Sequence, residues 1–234
     1  MVVYLVNKVY GIGVGPGDYK LLTLKAVEIL KKVDTIFVPI SKEGKESYAY
    51  NIIKPILDEN SKNIVKLLFP MSKNKEYLKK YWDEGFNKVI NCDGDVAIIT
   101  IGDPTLYSTF SYLWKKLKEN NIDVKIINGI PSPMACAGLL NMPLVEGDEN
   151  IAILPQGRDL EKIIDKFDTI VVMKTKKLGD ILRNIPNLDD NYIIGIVSKG
   201  FCSDEYIQYG KLSEINFDEV NEYLSLAIIK RVRE

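Results

Sequence analysis

Val96-Ala97-Ile98-Ile99-Thr100-Ile101 runs without a break into Gly102-Asp103-Pro104-Thr105-Leu106-Tyr107-Ser108-Thr109. The first six residues read as a strand buried on both faces, the kind found inside a parallel sheet. A glycine then lets a ligand approach the backbone, and strand carboxyl ends are where open α/β sheets take ligands. Asp103-Pro104 fixes a turn. A helix is expected over Leu106–Lys118, and its amino end adds free N–H groups. Read alone, the stretch is equally satisfied by a capped turn.

Outward from this point, strand-like and helical runs alternate. Lys8–Val14 is expected as a strand, followed by a glycine-rich turn and a helix capped by Thr23, with Leu24, Val27 and Leu30 at helical spacing. Thr35–Val38 is a short strand. Ser47–Leu57 is a helix that Pro55 kinks or ends, and Asn63–Phe69 is the next strand. Lys75–Ile90 is a long amphipathic helix, and Val124–Ile127 follows Leu106–Lys118 as a strand. Beyond it comes a short Ala- and Gly-rich helix, Ser132–Asn141. The strands Ile151–Leu154, Thr169–Met173, Tyr192–Val197, Glu205–Tyr209 and Leu226–Ile229 complete the chain. The pattern predicts an α/β protein of two domains, 1–120 with a largely parallel sheet and 121–234 with a mixed one, divided at the polar stretch Asn120–Asp123. No internal repeat is visible.

Composition excludes whole classes of function. With 31 Lys and Arg against 32 Asp and Glu, the net charge is -1, without the basic excess of a general nucleic-acid binder. The apolar runs are strand-sized, so no membrane span is expected, and Met1–Val6 is too short for a secretory signal core. The three cysteines, Cys92, Cys136 and Cys202, are odd in number and widely spaced, which makes a reducing cytoplasm the default. There is no histidine. That removes the commonest general base and metal ligand together, and with them any Ser-His-Asp or Cys-His triad. No residue set suggests a metal site.

Gly11-Ile12-Gly13-Val14-Gly15-Pro16-Gly17-Asp18 follows a strand and precedes a helix, as a dinucleotide fingerprint does. The spacing fails in both frames, because the sixth residue is Pro16 or Asp18 where glycine or alanine is needed. Pro39 and Ile40 also stand where an acidic ribose ligand would be.

Together the landmarks resemble the tetrapyrrole (corrin/porphyrin) methylase family. They are Gly13-Val14-Gly15-Pro16-Gly17-Asp18, Leu22-Thr23-Leu24-Lys25-Ala26, Gly102-Asp103-Pro104, Gly129-Ile130-Pro131-Ser132, and Met173 at a strand end. Within the family, Phe69-Pro70-Met71 and the run Gly102–Leu113 are most similar to the C(20)-methyltransferases of precorrin-2 and cobalt-factor II. The phenylalanine–glycine–arginine pattern of uroporphyrinogen relatives is absent, and diphthine synthases are harder to set aside by motif. The resemblance implies two α/β domains with a ligand cleft between them. It also implies S-adenosylmethionine as methyl donor, a cytoplasmic homodimer, and methylation of the C-20 meso carbon of the cobalt-containing ring, with the metal-free ring or diphthine synthesis on a protein as alternatives.

Carried over by motif, the donor pocket comprises Pro16, Gly102, Asp103, Leu106, Ser132, Met173 and Leu226. Met173 and Leu226 also suit plain core packing, and Ser132 a helix cap. An electron-rich macrocycle needs mainly alignment with the donor, which suits a chain without histidine. Asp103, Tyr107 or water could take the departing proton, and the sequence does not choose. A substrate rich in carboxylates calls for cations. Lys174 and Lys176 are the leading candidates, with Lys42, Lys45, Lys73 and Lys75 behind them; each also suits a solvated surface.

Overall fold

The computed structural model describes residues 4–72, 74–175, 177–186, 188–220 and 224–232. Its contacts divide the chain into two compact units, Met1–Pro131 and Ser132–Glu234.

The first unit is built on β1 (Val6–Gly13), α1 (Leu24–Lys32), β2 (Thr35–Ile40), α2 (Tyr48–Ile53), β3 (Asn63–Leu68), α3 (Lys75–Ile90), β4 (Gly94–Thr100), α4 (Phe110–Glu119) and β5 (Asp123–Ile127). The strands form a parallel sheet in the order β3-β2-β4-β1-β5. Alternation along the strands supplies two cores. Ile12, Val14, Ile36, Val38, Ala97 and Ile99 face α1 and α2. Val9, Phe37, Val96 and Ile98 face α3 and α4. β4 is therefore hydrophobic throughout, as its sequence requires.

Two expectations shift here. The strand after α4 is hydrogen-bonded to β1, with Ile12 opposite Ile127, so it belongs to the first sheet. The division consequently falls after Pro131, not at Asn120–Asp123. A polar stretch marks a loop, and this loop joins two elements of one unit. Helix α4 also starts later than expected, at Phe110 instead of Leu106. Tyr107 takes a left-handed conformation with φ 48°, which no helix interior tolerates, and Ser108 Oγ accepts from Phe110 N at 3.1 Å. Residues 102–109 thus form an extended loop. The helix expected over Ser47–Leu57 breaks as predicted at Pro55, with a 3-10 turn at Lys54–Ile56 after α2.

The second unit comprises α5 (Ser132–Leu139), β6 (Ile151–Leu154), α6 (Leu160–Ile163), β7 (Thr169–Met173), α7 (Leu178–Arg183), α8 (Leu188–Asn191), β8 (Tyr192–Ser198), β9 (Tyr206–Gly210) and β10 (Ser225–Arg231). Its sheet is mixed, in the order β6-β7-β10-β8-β9. β6 runs parallel to β7, and the other neighbours are antiparallel. One face packs Ile170, Val172, Ile194 and Ala227 against α6 and α7. The other packs Val171, Val197 and Leu226 against Cys136 and Ala137 of α5.

Candidate functional site

In the first unit, β1 and β4 are neighbours, yet the helices after them lie on opposite faces of the sheet. By topology the carboxyl ends of these strands form a switch point, the place where open α/β sheets bind ligands. Gly15 and Gly102 meet there in an antiparallel bridge, with Gly102 N donating to Gly15 O at 2.8 Å and Gly15 N to Gly102 O at 3.2 Å. Gly102 has φ 69°, a conformation that favours glycine.

The loop after β5 closes on the same spot. A Cβ on Gly13 would stand 2.6 Å from both Gly102 O and Gly129 N, and one on Gly129 would stand 2.3 Å from Gly102 O. The ends of β1, β4 and β5 therefore touch backbone to backbone. Such contact is possible only because these positions carry no side chain.

Asp103 binds these loops together. Its residue is 5% exposed. Oδ1 accepts from Thr105 N at 2.8 Å and from Thr105 Oγ1 at 2.5 Å. Oδ2 accepts from Asn128 Nδ2 at 3.0 Å and from Gly129 N at 3.1 Å. Burial pushes this carboxyl up, but those hydrogen bonds outweigh it and hold it below the usual carboxylate range. Thr23 adds another stitch. It caps α1 by accepting from Ala26 N, and its hydroxyl donates to Asn128 O at 3.3 Å. Thr100 Oγ1 and Ser108 Oγ are 2.9 Å apart and fix the far end of the loop.

The comparisons with known proteins agree with this geometry. The profile of the Tetrapyrrole (Corrin/Porphyrin) Methylases matches residues 8–216. The chain belongs to this family. A relative from Methanocaldococcus jannaschii, named "Probable cobalt-precorrin-2 C(20)-methyltransferase", is 65% identical over 229 residues, 98% of each chain. The cobalt-precorrin-2 C(20)-methyltransferase of Salmonella typhimurium is 27% identical over 72% of this chain and 73% of its own. The precorrin-2 C(20)-methyltransferase of a Sinorhizobium species is also 27% identical, over 78% and 77%. Among solved structures, a cobalt precorrin-4 methyltransferase matches with a TM-score of 0.67 at 18% identity, covering 95% of this chain and 94% of that one. The uroporphyrin-III C-methyltransferase of Thermus thermophilus, solved with S-adenosylhomocysteine, matches with 0.63 at 19% identity, covering 95% and 97%. These two likenesses establish the methylase fold.

In this methylase the first unit carries Pro16, Gly102, Asp103, Leu106 and Tyr107. Pro16 follows the bridge and is partly exposed; Leu106 N bonds back to Asp103 O at 3.3 Å; Tyr107 is 49% exposed. The second unit carries the others. Met173 and Leu226 lie opposite each other on β7 and β10, and Leu226 is buried in the core that faces α5. Ser132 is the first residue of α5. Lys174 follows Met173 in a left-handed conformation with φ 60°, its N–H bonded to Ser225 O at 2.9 Å. Lys176 and Lys73 lie outside the described residues. Lys42, Lys45 and Lys75 are exposed.

Sequence reading missed Thr105 and Asn128. Each looks like an ordinary turn residue until Asp103 is placed beside it. Among the described residues, no group of three potential ligands could hold a metal, and no helix is long and apolar enough to cross a membrane. A cavity of about 430 Å³, lined by Glu161, Asp165, Asn184 and Tyr192 among others, lies at the start of β8. That is the opposite end of the strand from the edge where Leu226 pairs with Val197. It holds none of the sequence-derived site residues.

Proposed function

We propose that this chain methylates the C-20 meso carbon of cobalt-precorrin-2 (cobalt-factor II) in cobalamin biosynthesis, with S-adenosylmethionine as donor. The observation that carries the reading is the 65% identity to the methanogen relative over 98% of both chains. The strand ends of the first unit, where glycines bring three loops together and a Cβ on Gly13 or Gly129 would collide with backbone, are the proposed seat of the donor. Pro16, Gly102, Asp103 and Leu106 of the first unit and Ser132, Met173 and Leu226 of the second are proposed as donor-binding residues.

When bound, the donor supplies a methyl group on a positively charged sulfur. The protein's part is then to bind, orient and exclude water. The buried floor beneath these strand ends, Ile12, Val14 and Ile99, keeps the dielectric there low. Lys174 and Lys176 are proposed to hold carboxylate arms of the acceptor. Tyr107, on its strained loop, stands as a candidate to assist the departing proton. We also take the enzyme to be a cytoplasmic homodimer acting on a small molecule, which sedimentation can check.

The test is incubation with labelled donor and either cobalt-loaded or metal-free precorrin-2, with products resolved by mass. Gain of one methyl on the cobalt-loaded ring is expected. Transfer to the metal-free ring alone would refute the cobalt assignment, and transfer to neither would refute the whole reading.

A further inference from the structure

We infer that Asp103 is a positioning residue. Its carboxylate clips the loop after β4 to the loop after β5 and so sets where the Gly102 and Gly129 backbones stand. The inference rests on the donor reading above and goes beyond it, because the family role carried over by motif leaves Asp103 equally available as a base.

An ionised carboxylate offers about four lone-pair positions. All four are occupied here, by Thr105 N, Thr105 Oγ1, Asn128 Nδ2 and Gly129 N. Taking up a proton would forfeit at least one of these bonds in a residue only 5% exposed. The loops it joins are the ones whose glycines already touch, so a small movement at Asp103 moves both loops. Thr23 repeats the arrangement from the other side, tying the amino end of α1 to Asn128 O.

Chemistry makes the idea testable through the amide. In Asp103→Asn the side-chain oxygen can face either pair of donors, and the NH2 must face the other. Asn128 can flip and Thr105 Oγ1 can turn to accept, but a backbone N–H can do neither. One N–H, of Thr105 or of Gly129, is therefore stranded in either orientation. Asn128→Ala removes one strut without touching the carboxylate, and it reads the clip even where Asp103→Asn folds poorly.

Calorimetry with S-adenosylhomocysteine should show its Kd raised about tenfold in Asp103→Asn, and about three- to tenfold in Asn128→Ala. The double variant should lose less than the product of the two, since both remove the same clip. At saturating donor and acceptor, Asn128→Ala should keep kcat within about threefold of wild type, and both single variants should keep the wild-type pH profile. Unchanged donor affinity in both single variants, or a kcat collapse with a flattened pH profile in Asp103→Asn alone, would overturn the inference. If wild type fails to bind S-adenosylhomocysteine, the donor reading itself falls.

Discussion

Gly129→Ala places a methyl group where three strand ends already touch. Its Cβ would stand 2.3 Å from Gly102 O and 2.7 Å from both the carbonyl carbon and oxygen of Gly13. Unstrained contact needs about 3.5 Å, so the loops must separate by roughly 1 Å. No side chain can rotate out of the way, because every obstructing atom is main chain, held by the β1–β4 ladder at Gly13 and by the Gly15–Gly102 bridge. Overpacking of this sort costs about 1–3 kcal/mol. The same movement carries Gly129 N, now 3.1 Å from Asp103 Oδ2, out of hydrogen-bond reach. Stranding that donor adds about 1–3 kcal/mol, while loss of unfolded-state freedom returns about 0.4–1 kcal/mol. The net is a destabilisation of roughly 1–5 kcal/mol, and at about 2–4 °C per kcal/mol for a chain of this size Tm falls by some 2–20 °C. Gly138→Ala is the control. It lies in α5, its Cβ would meet nothing within 4 Å, and it should hold or raise Tm. Melting curves by circular dichroism compare the two directly. A Gly129→Ala protein melting within about 2 °C of wild type would refute the claim of rigid backbone contact.

Other expectations follow from charge and burial. Because the Asp103 carboxyl is held below its ordinary range, its stabilisation is complete above the unfolded pKa of about 3.9 and vanishes as pH falls through the lower folded value. The stability gap between wild type and Asp103→Asn, read by urea titration, should stay constant from neutral pH to about 5 and close below about 4; a gap that widens on acidification contradicts the hydrogen bonding described. Burial, with Glu205 nearby, pushes the Cys136 thiol up to about 12. A thiol reagent at mildly alkaline pH should leave Cys136 unmodified until the protein unfolds, and prompt labelling of the native protein, mapped by mass, would show the packing against Val171 and Val197 to be wrong. Replacing Lys174 and Lys176 with Ala should weaken acceptor binding by about 1–3 kcal/mol per lost contact and leave donor affinity unchanged. Fluorescence titration of both ligands checks this, and equal loss of both would point to a disturbed strand end at Met173.

The fold was legible where burial dictates the sequence. β4 can be nothing but a central strand, since alternate residues must satisfy two cores at once. Capping chemistry located α1, because Thr23 accepts from Ala26 N as its position foretells. What composition and periodicity could not reveal was partnership between distant segments. Asp123–Ile127 has the same appearance whichever sheet it joins, and its partner, β1, lies more than a hundred residues upstream. The helix expected from Leu106 fails for a local reason that periodicity ignores. Leu106, Phe110 and Leu113 keep helical spacing, yet Tyr107 departs from helical φ. In the candidate site, glycines announced themselves because close approach permits no substitute. Asn128 and Thr105 did not, because hydrogen-bonding partners of an aspartate have no spacing rule.

That asymmetry bears on how such a site can work without histidine. Loops joined through main-chain N–H and carbonyl groups keep those dipoles at every pH, so the frame they build does not depend on titration. The carboxylate within it, Asp103, is committed to Thr105, Asn128 and Gly129 and held ionised by them. Thr100, Ser108 and Thr105 contribute hydroxyls that neither gain nor lose protons near neutrality. Such a construction can place a reactive donor and an already nucleophilic carbon in line, since it needs fixed geometry and little proton transfer. It would serve poorly for hydrolysis or acyl transfer, where a base must cycle in each turnover. The absence of histidine from the chain and the saturation of Asp103 both suit a reaction whose chemistry is carried by the reactants, with the protein's part in holding them in place.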